Sequence, residues 1–145
     1  MSFSQALQNY KTLIENLPSK PAVHLLSGEV DAKTIGKITL DGSRPTVLLR
    51  CGGGPMVMKN PLVCDVIFGA FVVGRADQDT KGMSRAAMEL SVDICKALVN
   101  YRGDPRLNPN LPNVESVEEV LSGFNSEANN HSAWLIVWTH YLKFN

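Results

Sequence analysis

The chain has 145 residues, 44% of them apolar and 19% charged, with 14 Lys plus Arg against 14 Asp plus Glu. That length suits one domain, 1–145, and can remove roughly 70% of the unfolded surface from water. The zero net charge gives no sign of the electrostatic footprint that nucleic-acid binding requires, although a locally basic face is left open.

Three cysteines, Cys51, Cys64 and Cys95, are an odd number at scattered spacing. They read as buried free thiols in a reducing compartment rather than as a disulfide frame or a metal site. The start, Met1-Ser2-Phe3-Ser4-Gln5, lacks the basic region and apolar stretch of a signal peptide. The longest apolar run is broken by Asp65 and two glycines, so it is not read as a membrane span. A cytoplasmic protein is expected.

In chain order, Phe3, Leu7, Tyr10, Ile14 and Leu17 have helical spacing. Ser2 with Gln5 forms a capping box, and Pro18 and Pro21 end the helix. Ala22 to Leu26 reads as a short strand. Ser27 to Arg44 is polar and holds three glycines. It is expected to be a mobile region, about 27–44, with a short strand through Ile35, Ile38 and Leu40 that ends at an Asp41-Gly42 turn.

Thr46 to Cys51 is a strand by its β-branched and apolar content, with Pro45 at its start. Gly52-Gly53-Gly54-Pro55 breaks it, and Met56 to Pro61 is read as a link. A linker of this length suggests that the next strand pairs antiparallel. That strand, Leu62 to Arg75, is apolar on both faces, and Gly69 and Gly74 suggest a bend or bulge in it. One face can pack on helices. The other needs separate cover, and a neighbouring subunit is one source. Asp65, Phe71, Val73 and Arg75 are therefore the candidate interface residues.

Asp79 or Thr80 is expected to cap a helix running to Tyr101, with Met83, Ala87, Leu90, Ile94, Leu98 and Tyr101 as its core stripe and Gly103 ending it. A Pro/Asn loop follows, Asp104 to Pro112. Val114 to Phe124 fits a helix by spacing and an edge strand by its Val and Gly content. Ala133 to Phe144 alternates as a terminal strand. The fold class is α+β: a mixed or antiparallel sheet of about four to five strands, with two main helices packed on one face.

No motif carries chemistry. Gly52-Gly53-Gly54 lacks the Lys-Ser or Lys-Thr of a phosphate-binding loop. His24, His131 and His140 have no partner at ligand spacing. Trp134 and Trp138 sit on a strand without interleaved Lys or Arg, which favours a core or a subunit interface over base stacking. Catalytic, cofactor and metal residues are none, and the protein is read as not an enzyme. The competing class is a small-ligand or enzymatic pocket near Asp65, His140 and Cys95.

The order of these parts resembles the tail terminator proteins of tailed bacteriophages, in particular the Mu-like prophage family of contractile tails. The resemblance rests on Pro45-Thr46-Val47-Leu48-Leu49, the strand exit Arg75-x-Asp77, the helix opening with Gly82, and Trp134-Leu135-Ile136-Val137-Trp138. It spans nearly the whole chain and concerns size and order rather than an invariant motif. It implies a hexameric ring that sits on the tail tube, stops its polymerisation and offers a surface for head joining. The implied partners are copies of itself, tail tube and sheath proteins, and head-completion or neck proteins, with DNA only passing through the pore and no membrane involved. The implied location is the host cytoplasm during assembly, then the head-proximal end of the virion tail. The segments Ser27–Arg44 and Asn108–Ser116 would be ring or tube contacts. A head-to-tail connector is the nearest alternative.

Overall fold

The computed structural model describes residues 2–28, 30–38, 40, 44–102, 111–122 and 130–144. Helix α1 is Phe3–Glu15, β1 Ala22–Leu25, α2 Ala32–Gly36, β2 Thr46–Gly53, β3 Met56–Met58, β4 Leu62–Arg75, α3 Arg85–Val99, β5 Asn113–Leu121 and β6 His131–Phe144. The six strands form one sheet in the order β1-β2-β4-β6-β5, with β3 paired to the start of β4. β1 runs parallel to β2, and every other pairing is antiparallel. The sheet is therefore mixed, as expected, with six strands against the four to five read from sequence.

β4 is the middle of the sheet. It pairs with β6 without interruption from Leu62↔Phe144 to Arg75↔His131. Gly69 and Gly74 thus mark no bulge in that pairing, contrary to expectation. Gly74 instead lets a helix approach: a Cβ there would meet Ser84 Oγ, and would stand 3.1 Å from the Ala87 Cβ. The register shifts fall elsewhere, at Cys51/Gly53, Met56/Met58, Val114/Ser116 and Glu119/Leu121.

Strand alternation sends Val66, Phe68, Ala70 and Val72 to one face and Asp65, Ile67, Phe71 and Val73 to the other. The first face is covered by α1 and α3. Tyr10 and Ile14 from α1, and Ala87, Leu90, Ile94 and Leu98 from α3, close over Phe68, Ile136, Trp138 and Leu142 in one buried cluster. Phe68 and Trp138 stack at 5.7 Å, and Tyr10 meets Trp138 edge-on at 5.2 Å. Aromatic pairs in these geometries add to what their buried area contributes.

Several expectations are corrected. Ile35 belongs to α2, a helix capped by Asp31, whose Oδ1 accepts from the Thr34 amide at 2.8 Å. The aspartate cap outweighed the apolar alternation that suggested a strand. The expected Asp41-Gly42 turn lies outside the described residues. Among the described residues of this stretch, Ile35 and Leu40 are buried, and His131 Nε2 donates to the Ile38 carbonyl at 2.9 Å. The two main helices, α1 and α3, share one face as expected, and the additional short helix α2 lies on the second face of the sheet. Ile35, Leu48, Val73 and Ala133 form a smaller buried cluster there.

Helix α3 begins at Arg85 rather than near Lys81. Its cap is Ser84, whose Oγ accepts from the Ala87 amide at 3.2 Å. Asp77 accepts from the Arg85 amide at 3.0 Å, and Asp79 pairs with the Arg85 guanidinium at 3.2 Å. Residues 76–84 form a knot of turns, including Asp77 N–H to Met83 O and Thr80 Oγ1 to Met83 O. A helix needs uninterrupted i→i−4 bonds, and these competing local bonds delay its start. Met83 consequently lies outside the helix and is exposed. Gly103, expected as the stop, is outside the described residues. The ambiguous stretch resolves as strand β5, and β3 was read as a plain link.

Candidate interaction surface

The two faces of the sheet differ in how far the chain covers them. Among the described residues, α2 shields only the end near Val73 and Ala133. Below it, Ile67, Phe71, Leu135 and Val137 surround Gly69, which brings no side chain. Their walls, with Arg50 and Gly52, enclose a depression of about 210 Å³. Ile67 is 40% exposed, an unusual state for an isoleucine in the central strand of a sheet. Across the sheet at this level, Arg50 pairs with Gly69 and Glu118 with Leu135, so the depression has a basic rim on β2 and an acidic one on β5.

The four interface candidates fall in different places. Val73 is fully buried under α2 in the chain's own second cluster, so it offers no free surface and leaves the candidate set. Phe71 is half-buried, partly packed on that cluster and partly lining the depression. Asp65 is half-buried opposite Tyr141, and Arg75 is exposed opposite His131 at the end of β4. Sequence reading missed Ile67, Gly69, Leu135 and Val137 as one surface. The period-2 pattern named their faces, but only the strand order shows that β4 and β6 are neighbours.

Asp65 and His140 both border a cleft of about 260 Å³ with Glu115 and Tyr141, and Cys95 lies apart from it. His140 pairs with Val66 in register, and cross-strand partners share a face, so it points to the helix side while Asp65 points away. His140 is buried, with Nδ1 2.7 Å from Tyr10 Oη; the imidazole tautomer sets which of the two donates. Burial pushes the Tyr10 hydroxyl well above the ordinary tyrosine range, so it stays protonated. Cys95 packs on the main core from α3, and burial pushes its thiol up too, away from the reactive thiolate form. Among the described residues, no group of three or more His, Cys, Asp or Glu is arranged to hold a metal ion. No helix among them is long and apolar enough to cross a membrane.

A second exposed apolar feature stands at the far end of the sheet. β3 presents Met56, Val57 and Met58 in succession, exposed to 53%, 56% and 52%. Leu62 and Phe3 are exposed at the same end, where Phe3 meets Phe144 at 4.9 Å. Three consecutive exposed apolar residues have no purpose in a monomer's own packing. The β5 edge carries Glu115, Glu118 and Glu119, all exposed, and Lys59 follows β3 directly.

The described chain is thus a mixed six-stranded α+β sheet protein with an open apolar face. No family model matches it, and no curated protein matches it.

Proposed function

We propose that this chain is a structural phage tail assembly protein, a tail terminator that forms a ring, caps the tail tube and provides the surface for head joining. One observation carries the reading beyond the resemblance in layout: β4 and β6 leave an apolar sheet face uncovered around Gly69. Apolar surface of this kind is costly in water and favours association. A ring protein must keep such surface free of its own helices. The neutral chain also suits a pore through which DNA passes without adhering.

In this role the protein acts by shape rather than by chemistry, and its partners are copies of itself, the tube, and neck proteins. Light scattering across a concentration series, then electron microscopy with tail tubes, tests it. Ring particles that cap tubes and halt their growth are expected. A chain that stays monomeric, binds no tubes and leaves their growth unchanged would contradict the assignment.

A further inference from the structure

The two exposed apolar features are unlike each other in shape. One is a depression lined by Ile67, Phe71, Leu135 and Val137, and the other is a projecting strand, Met56-Val57-Met58. The projection cannot reach its own depression. β3 is held at the start of β4 by the pairs Met56↔Cys64 and Met58↔Val63, and all three of its side chains remain more than half exposed. Two depressions placed face to face would also leave both projections in water.

We propose that the Met56–Met58 projection of one copy seats in the Gly69 depression of the next copy. The charges give the contact a direction. Lys59 directly follows the projection, and the depression has Arg50 on its β2 rim and Glu118 on its β5 rim. Seating Lys59 toward Glu118 pairs opposite charges and keeps it from Arg50. Like charges at an interface are costly, so the reverse orientation is disfavoured.

A contact between two different surfaces is heterologous, and repeating it yields a closed ring when the rotation closes. This proposal rests on the ring reading above and specifies its subunit contact. The projection is small beside the about 800 Å² per partner of a stable interface. One such contact is therefore weak, and closure, in which every copy gives and receives, makes the assembly persist.

The test separates the two halves of the contact. Val57→Asp spoils the projection and leaves the depression intact. Gly69→Leu fills the depression from within. The backbone tolerates a side chain at 69, since a Cβ there would lie 3.6 Å from Leu135 Cδ1 and 3.8 Å from Arg50 Cγ, both ordinary contacts. Circular dichroism confirms that each variant is folded, and sedimentation velocity reads assembly, alone and with tail tubes. Each variant alone is expected to lose association by about tenfold or more, the scale of one well-packed anchor. Mixed at a protein concentration high enough to populate a single weak contact, they should form a one-to-one heterodimer, because each retains the half that the other lacks.

Lys59→Glu should weaken the wild-type ring, and adding Glu118→Lys in the same chain should restore it. Rings of wild-type stability from both Val57→Asp and Gly69→Leu would overturn this contact while leaving the ring reading standing. Two folded monomeric variants that fail to pair when mixed at that high concentration would overturn it as well. A wild-type chain that never assembles, free or on tubes, would remove the ring reading and this contact together.

Discussion

The two faces of this sheet are built from the same strands, and both carry large apolar residues. On the helix side, Phe68, Ile136 and Trp138 lie under α1 and α3 with essentially no exposure. On the other side, Val73 and Ala133 are equally buried under α2, yet Ile67, on the same face further along β4, is open. Apolar character alone therefore does not bury a residue on this sheet. Cover does, and cover depends on where the helices return. α1 and α3 bring long amphipathic stripes across the first face. α2 is five residues long and reaches one end of the second. The uncovered remainder is surface that the fold of one chain does not need, which is why it is the place to look for a second.

The comparison is broken most severely by Trp138→Ala. It removes the largest fully buried side chain and its stacking on Phe68, and should cost about 3–5 kcal/mol in chemical denaturation. Ile35→Ala tests the partial cover on the other face. It should cost about 2–4 kcal/mol, because it opens the cluster over Val73 and Leu48 without touching the main core. Gly74→Ala forces strand and helix apart where Ser84 and Ala87 dock, and about 1–3 kcal/mol should be lost.

Tyr10→Phe sharpens the picture of the helix side through pH. The folded chain holds the Tyr10 proton more tightly than the unfolded chain does, because burial raises its pKa. The unfolded tyrosine ionises near about pH 10. The stability that Tyr10 contributes is therefore complete below that pH and is lost as the pH rises above it. Unfolding titrations at neutral pH and above about pH 10 should show this alkaline loss in the wild type and a shallower one in Tyr10→Phe. Tyr101, also raised by burial, keeps its own share of the slope. The smallest effect is expected on the open face. Val137→Thr should change monomer stability by no more than about 0.5 kcal/mol.

Much of the frame was legible in the chain. Ser2 caps α1 through Gln5 as read, the Leu62 strand stands where its long apolar run put it, and the terminal strand includes the residues whose alternation marked it. The doubly apolar character of β4 correctly signalled two layers. Three things were not legible. α2 is a short helix whose signal is one capping Asp and one buried Ile, too brief for periodicity to separate from a strand. β3 is three residues of Met and Val that resume the course of β2 along β4 beyond the irregularity at Gly53 and Gly54, so the chain turns back only after Met58. The surface itself needed the strand order, since residues of β4 and β6 that line one depression lie far apart in sequence. His140 illustrates the same limit: its alternation with the tryptophans gave its face, and only the fold supplied Tyr10 as its partner.

The most direct measurement is Val137→Asp, read by thermal melting and light scattering on the same sample. Val137 stands opposite Gly69 on the uncovered face. If that face serves a neighbouring copy, the melting temperature should stay within a few degrees of wild type while ring formation is abolished. A collapse of the melting transition like that of Trp138→Ala, or rings that form unchanged, would contradict the assignment of this face to a subunit contact.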